Sequence, residues 1–297
     1  MAKNKENLHI SPHFSRLDSG GGAAVYLRYM KSPKELSIER KILEQLEPGT
    51  AARRAAEILM NDAEIQLMQE YANTVSIVRL GYNDHGPVHM RTVTRNAVRM
   101  LKLLEAGGIR TSIETEKSGT LDDSMTAVIL AAFLHDLGMA MGRQDHELNS
   151  VILAKSLIDR TLAQVYPDSP EKRIVVTAVA LEGIIGHMAS RRINSIEAGI
   201  ILIADGCDME KGRARIPLVL NTEPRAGDIH KYSANSIEKV HIEAGDPKPI
   251  RVSVEMSSDV GFFQIEEVLL PKVNMSPVKK HIELYAGLAG GEMKKYL

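Results

Sequence analysis

Apolar residues recur at helical spacing from about residue 32 to about residue 210. Residues 51–80 and 90–108 carry alanine, leucine, methionine and valine three and four positions apart, which is typical of amphipathic helices. Pro48 and Gly49 interrupt this pattern, and residues 81–89 interrupt it again with two glycines and a proline. We therefore predict a mainly α-helical region in which residues 51–80 form one helix.

The periodicity changes in the last quarter of the chain. Residues 236–245 and 249–258 alternate apolar with polar side chains, as half-buried strands do, and residues 278–287 alternate again after a helical stretch. This pattern predicts a small C-terminal α+β unit of order β-β-α-β. The predicted organisation is a flexible N-terminal arm (1–23), a helical domain (24–224) and the C-terminal unit (225–297).

One helix of the predicted helical domain is unusually apolar. Residues 127–134 are hydrophobic at every position, so the helix is expected to be buried, and His135 and Asp136 follow it directly. Burying a polar group without a partner costs roughly 2–7 kcal/mol, and a charge costs more. His135 and Asp136 therefore need partners.

Four other places in this helical region carry a histidine or aspartate at the entrance or end of a helix or inside an apolar run. Each side chain taken singly could satisfy a helix end or the core, but together they suit divalent iron, manganese, zinc or nickel. Adjacent helical residues project about 100° apart, so His135 and Asp136 could reach one ion or two neighbouring ions. The other candidates are His85 and His89 at a helix entrance, His146 after the His-Asp pair, His187 at a helix end and Asp205 in an aliphatic run. Asn194, with Glu197 three residues on, is the predicted cap of the helix that carries Asp205.

The order His … His-Asp … Asp resembles the HD-domain superfamily of metal-dependent phosphohydrolases. The matching residues are His89, His135, Asp136 and Asp205, and the resemblance covers roughly residues 80–210. It is supported by Val93, four residues after His89, and by the "LHDLG" helix end. The resemblance implies an HD-type helical bundle that holds a divalent transition metal (manganese, iron, nickel or zinc), with magnesium as an alternative.

The same resemblance leaves the number of ions at one or two. His85 and His89 are both candidates for the first ligand, and His89 is favoured because apolar residues follow it at the family's helical spacing. His85 would then contact a ligand or the substrate. By analogy with binuclear relatives, His146 and His187 would hold a second metal, or else bind the substrate, and Asp136 would bridge the two ions.

The activity that this resemblance implies is hydrolysis of a phosphate ester, possibly of a nucleotide, by metal-activated water. Phosphoryl transfer needs positive charge around the phosphoryl oxygens. Basic residues follow His187 and Asp205, although they could equally form a solvated surface, and Asp208 could orient a ligand or a basic group. The phosphate-binding candidates are Arg192, Lys211, Arg213 and Arg215.

The composition of the chain limits the classes of partner that we expect it to bind. The chain has 37 basic and 38 acidic residues, so no charge excess indicates nucleic acid. With one cysteine, no apolar run of membrane-spanning length and no signal-peptide core, the expected location is the cytoplasm and the expected partner is a phosphorylated small molecule. The C-terminal unit could bind a ligand, cover the site or form the interface of a homo-oligomer.

Two other functions remain compatible with these residues. A non-catalytic HD-type regulator would bind a phosphorylated ligand through the helical domain and signal through the C-terminal unit. A di-iron oxygenase, an activity known on the same fold, would consume oxygen.

Overall fold

The computed structural model describes residues 31–211 and 229–297. The predicted arm and the predicted domain boundary near residue 225 lie outside these residues. The first described range is mainly helical, as the hydrophobic periodicity predicts, and nine α-helices follow one another through it. They are α1 (Pro33–Leu43), α2 (Ala51–Asn61), α3 (Ala63–Thr74), α4 (Pro87–Ala106), α5 (Ser112–Thr115), α6 (Leu121–Leu134), α7 (His146–Val165), α8 (Pro170–Gly186) and α9 (Ile196–Gly206).

The prediction of one helix over residues 51–80 is wrong, because the chain turns at Asp62. This residue has an extended backbone (φ −83°, ψ 113°) and ends α2 while it begins α3. Its Oδ1 accepts hydrogen bonds from the backbone N–H groups of Glu64 (3.0 Å) and Ile65 (3.1 Å). An aspartate that caps the second helix thus separates two helices whose apolar periodicity looks continuous.

The helix before the His-Asp pair lies at the centre of the bundle. Every residue of α6 from Asp123 to Leu134 is buried, and α6 packs against α2, α4, α8 and α9. Among the described residues, Leu121–Ala140 is long and apolar enough to cross a membrane, but 94% of its most apolar window is buried inside the protein. Such burial is consistent with the core helix of a soluble protein.

The helix that carries Asp205 begins one residue later than predicted. Ser195, rather than Asn194, caps α9, and its hydroxyl accepts from the N–H of Ala198 at 3.1 Å. The buried Glu197 carboxylate instead accepts from two backbone N–H groups of α5 and from the Ser124 hydroxyl at 2.8 Å. This carboxylate therefore ties α9 to α5 and α6.

The C-terminal segment forms a four-stranded mixed sheet after a short helix, α10 (Ile229–Asn235). Antiparallel pairing joins the first two strands, parallel pairing joins the second and third, and antiparallel pairing joins the last two. The three predicted strands and the helical stretch between the second and third of them are confirmed. The fourth strand has only two residues and was too short to predict. The strands are β1 (Ile237–Ala244), β2 (Ile250–Met256), β3 (Ile282–Leu288) and β4 (Lys294–Lys295).

Helical residues 262–275, here called the crossover helix, connect the parallel strands β2 and β3. The segment consists of α-helical Phe262–Gln264, a π-helical turn at Ile265–Leu269 and α-helical Leu270–Met275. It packs against α9, while β1 and β2 contact α4. Residues Lys31–Leu297 form one compact unit, and folding of the C-terminal segment as a domain of its own stays a prediction.

Candidate metal centre

Buried histidines and aspartates from five helices meet at the centre of the bundle. They include all four residues of the predicted first site and both residues of the predicted second site, and they belong to groups that could hold a metal ion. His89 lies in the first turn of α4, His135 and Asp136 end α6, His146 begins α7, His187 ends α8, and Asp205 lies in the last turn of α9.

Gly138, which follows His135 and Asp136, allows the first residues of α7 to pack closely against the end of α6. Asp136 leaves the helical conformation (φ −105°, ψ 9°), and Leu137–Ala140 form a 3₁₀ turn. A Cβ on Gly138 would lie 2.0 Å from the carbonyl oxygen of His146, and the Gly138 N–H donates to Ser150 Oγ at 2.8 Å. The glycine of "LHDLG" therefore brings His146 close to Asp136.

The first group of atoms surrounds His89 Nε2. This nitrogen lies 3.2 Å from His135 Nε2, 3.1 Å from Asp136 Oδ2 and 3.2 Å from Asp205 Oδ1. His135 Nε2 also lies 3.3 Å from Asp136 Oδ2. Four side chains thus direct one ligand atom each toward a common point.

The second group uses the other oxygen of the same carboxylate. Asp136 Oδ1 lies 3.3 Å from His146 Nε2 and 3.4 Å from His187 Nε2, and these two nitrogens are 3.1 Å apart. Asp136 therefore contributes one carboxylate oxygen to each of the two groups.

The opposite ring nitrogens of the four histidines all face acceptors. The Nδ1 atoms of His135, His146 and His187 lie 2.9, 3.0 and 2.6 Å from backbone carbonyl oxygens, and His89 Nδ1 lies 2.6 Å from Asp208 Oδ2. These contacts assign the proton to Nδ1 in each ring and leave a lone pair on each Nε2. Partners of this kind fix the orientation of metal-binding histidines.

The distances among these Nε2 and carboxylate atoms test whether a metal ion fits. Lone pairs about 3 Å apart repel each other unless a cation lies between them. Ligands about 2.1 Å from one ion are separated by about 3.0 Å in octahedral and about 3.4 Å in tetrahedral coordination. The contacts of 3.1–3.4 Å around each group match this range, while His135 Nε2 and Asp205 Oδ1 in the first group are 3.8 Å apart. The residues therefore fit metal ions, and the choice of metal remains open.

The protonation states also suit metal binding. Burial alone would raise the pKa of the Asp136 carboxyl, but the imidazoles of His135 and His85 hold this pKa well below its ordinary value. Burial would likewise raise the pKa of the Asp205 carboxyl, but Lys272 and His89 hold this pKa well below its ordinary value. Burial lowers the pKa of His187 to about 4, so its imidazole is neutral near pH 7. Ionised carboxylates and neutral imidazoles are the forms that bind metals.

Lys272 belongs to the centre although sequence reasoning did not identify it. It extends from the crossover helix, is almost fully buried, forms an ion pair with Asp205 Oδ2, and donates to the His187 carbonyl oxygen at 3.0 Å. A Cβ on Gly206 would lie 3.2 Å from Lys272 Cδ, so this glycine permits the close approach. The lysine leaves Asp205 Oδ1 directed at His89.

Arg143 was also missed, and it lies beside the second group. Its Nη1 is 3.3 Å from His146 Nε2, and its Nη2 is 3.6 Å from the sulfur of Met188. No carboxylate forms an ion pair with this guanidinium within the described part of the chain. A metal ion on His146 Nε2 would replace the first contact and leave the guanidinium available to an oxyanion.

The remaining predicted residues lie in different surroundings. Asp208 orients His89, as proposed for a residue next to the ligands, and the His85 ring packs edge-on to His89 with centroids 5.7 Å apart. His85 Nδ1 lies 2.6 Å from the Asn83 carbonyl oxygen.

The predicted phosphate-binding residues receive no support. Lys211 pairs with Glu238 on β1 at 2.5 Å, and Arg192 is exposed. Arg213 and Arg215 lie outside the described residues. Spacing after Asp205 thus did not identify the cations nearest the cluster.

The fold and the site define a mainly helical protein with a buried histidine–aspartate cluster that could bind metal. The chain belongs to the same family as uncharacterized protein MJ1020 of Methanocaldococcus jannaschii. The two are 39% identical over 228 residues, which cover 77% of this chain and 86% of the relative. No protein-family model and no solved structure matches the chain.

We expect the wild-type protein to bind two equivalents of manganese or iron per chain after reconstitution. Alanine at His146 or at His187 should lower this to one equivalent, and His89→Ala should disturb the first site. Elemental analysis after dialysis measures the content, and His241→Ala, on the exposed part of β1, is the control. Less than about a tenth of an equivalent in wild type would exclude a metal centre, and a ceiling of one would exclude the second site.

Proposed function

We propose that this protein is a metal-dependent phosphohydrolase of the HD superfamily, built on an HD-type helical bundle and using two divalent transition-metal ions. The observation that carries the proposal is the position of Asp136, with one carboxylate oxygen in each of two adjoining ligand groups. Two-metal hydrolases bind their ions in such paired sites. Manganese, iron, nickel and zinc suit the imidazole and carboxylate ligands, and magnesium is the alternative.

The described residues divide into two ligand sets. His89, His135, Asp136 and Asp205 would hold the first ion, because the ligand atoms of the other three lie within 3.2 Å of His89 Nε2, and Asp136, His146 and His187 would hold the second. Divalent ions held by these residues would lower the pKa of coordinated water and polarise phosphoryl oxygens.

The chain's own residues supply the orientation and the charge. Asp208 Oδ2 accepts the Nδ1 proton of His89 and fixes this ring, while Lys272 holds the second oxygen of Asp205. Arg143 offers two N–H groups beside the second ligand set, where they would donate to the oxygens of a phosphoryl group. The nearly complete burial of the ligands keeps bulk water away from these interactions.

The same proposal includes the partner and the location. The substrate is a phosphorylated small molecule, possibly a nucleotide, with no role for nucleic acid or a membrane, and the protein acts in the cytoplasm. Formation of a homo-oligomer stays a prediction.

Two alternatives make different predictions for the same ligands. A non-catalytic regulator would bind a phosphorylated compound without turnover, and a di-iron oxygenase would consume oxygen when loaded with ferrous iron. The Arg143 guanidinium lies beside the second ligand set and forms no ion pair with a carboxylate of the described residues, which favours an oxyanion substrate, and therefore hydrolysis, over oxygen chemistry.

The proposal predicts release of inorganic phosphate by the metal-loaded protein. We expect activity on at least one member of a panel of nucleoside monophosphates, nucleoside polyphosphates and sugar phosphates, and its loss after chelation. Arg143→Met should lower kcat/KM by about 10²–10³-fold, the usual effect of removing one donor to the transition state. Oxygen uptake is followed in parallel with iron-loaded protein. Binding without turnover across the panel would favour the regulator, and oxygen uptake without phosphate release would favour the oxygenase.

A further inference from the structure

A cavity of about 190 Å³ lies between α1 and α4, and the candidate metal ligand His89 belongs to its lining. We call it the α1–α4 groove. One face of α1 and one face of α4 form its walls. Its lining comprises Lys34, Ser37, Ile38 and Lys41 from α1, Val88, His89, Thr92 and Arg95 from α4, and Asp84, Asp208 and Glu210 from other parts of the chain.

The three carboxylates of the groove already have partners within the protein. Asp84 Oδ1 accepts from the N–H of Gly86 at 2.8 Å, and Asp208 Oδ2 accepts from His89 Nδ1 at 2.6 Å. Glu210 Oε1 accepts from a backbone N–H of β1 at 3.3 Å. Each of the three carboxylates is thus held in place by a hydrogen bond within the protein.

None of the three cationic side chains of the groove forms an ion pair with a described residue. The ammonium groups of Lys34 and Lys41 are exposed and form no hydrogen bond or ion pair with any residue of 31–211 or 229–297. Arg95 donates to the neutral side-chain oxygen of Asn96 at 3.1 Å. These three cationic side chains can therefore bind the oxygens of an anion.

The cations are distributed along the groove. Lys34 and Lys41 are two helical turns apart, or about 10 Å along the axis of α1, and Arg95 lies about 9 Å along α4 from His89. A single phosphate at the metal ions would leave these groups without a partner. Apart from His89, no aromatic ring of the described residues lines the groove.

We infer that the α1–α4 groove binds a second phosphate group of the substrate while the scissile phosphate lies at the metal centre. This inference rests on the proposed function and narrows its substrate class to small molecules with more than one phosphate. Lys34, Lys41 and Arg95 are the residues that determine this specificity.

Titration calorimetry on the manganese-loaded protein tests the inference, with orthophosphate and tripolyphosphate as probes. We expect tripolyphosphate to bind at least tenfold more tightly than orthophosphate. The double variant Lys34→Gln/Lys41→Gln should weaken tripolyphosphate binding at least tenfold and change orthophosphate binding less than threefold. Lys279→Gln/Lys280→Gln is the matched control, because it removes the same charge from two exposed lysines outside the groove.

Two results would overturn the inference: no preference for tripolyphosphate in the wild-type protein, or equal affinity of the wild type and Lys34→Gln/Lys41→Gln for it. Phosphate release is measured separately, so that a failure of the proposed hydrolase activity can be distinguished from a failure of the proposed groove. Groove-dependent binding without hydrolysis of any phosphate ester would refute the enzyme and support the groove. Hydrolysis of phosphomonoesters, together with equal tripolyphosphate affinity of the wild type and the double variant, would refute the groove and support the enzyme.

Discussion

Replacement of Asp136 by alanine is expected to abolish hydrolysis and to reduce the bound metal from two equivalents to one or none. The substitution removes the one side chain, among the described ligands, that places one oxygen in the first ligand group and the other oxygen in the second. We expect kcat/KM to fall by at least 10³-fold, which corresponds to about 4 kcal/mol of activation barrier. The comparison uses phosphate release at saturating manganese on the best substrate of the panel.

The control for this variant is Asp159→Ala, which removes an exposed aspartate that pairs with Lys155 on α7. It should retain wild-type activity and metal content. Far-ultraviolet circular dichroism of Asp136→Ala should show the wild-type helical signal. Retention of more than about a tenth of the wild-type rate, only about 1.4 kcal/mol of barrier, would remove Asp136 from the mechanism.

Lys272→Met is expected to destabilise the metal-free protein by about 3–5 kcal/mol, the usual cost of leaving one member of a buried ion pair without its partner. The variant would leave the Asp205 carboxylate buried without its ammonium partner. In the manganese-loaded protein an ion beside Asp205 Oδ1 would compensate this charge. We therefore expect a smaller loss of unfolding free energy with metal than without it.

Urea denaturation with and without manganese measures both losses. Lys272→Arg keeps the charge and should restore most of the stability of the metal-free protein. Lys294→Met is the control, because it removes an exposed lysine paired with Glu266. Equal destabilisation of both forms by Lys272→Met would mean that the lysine acts through packing alone, independently of the metal centre.

The ligand residues were predictable because they contradict their local sequence. An ionisable pair directly after the apolar residues 127–134, and an aspartate inside the aliphatic run before Cys207, must find partners in the core. The strands of the C-terminal sheet were predictable because alternation with a period of two distinguishes them from helices. In both cases the burial of side chains leaves a pattern that a single sequence displays.

The residues that were missed have no such pattern. Lys272 lies in a helix of ordinary composition, and only the packing of the crossover helix on α9 brings it to Asp205, 67 positions away in sequence. Arg143 follows a short turn whose path depends on Gly138. The break at Asp62 was missed because apolar periodicity continues across it.

The crossover helix has a consequence for how the length of this chain can vary. It joins two parallel strands in fixed register, from Met256 to Ile282, and the same segment delivers Lys272 to the buried carboxylate. One inserted residue before Lys272 would rotate its position by about 100° around the helix and move it about 1.5 Å along the axis. Insertions and deletions in this connection would therefore have to preserve both the strand register and the ion pair, so evolutionary changes of length should concentrate elsewhere in the chain.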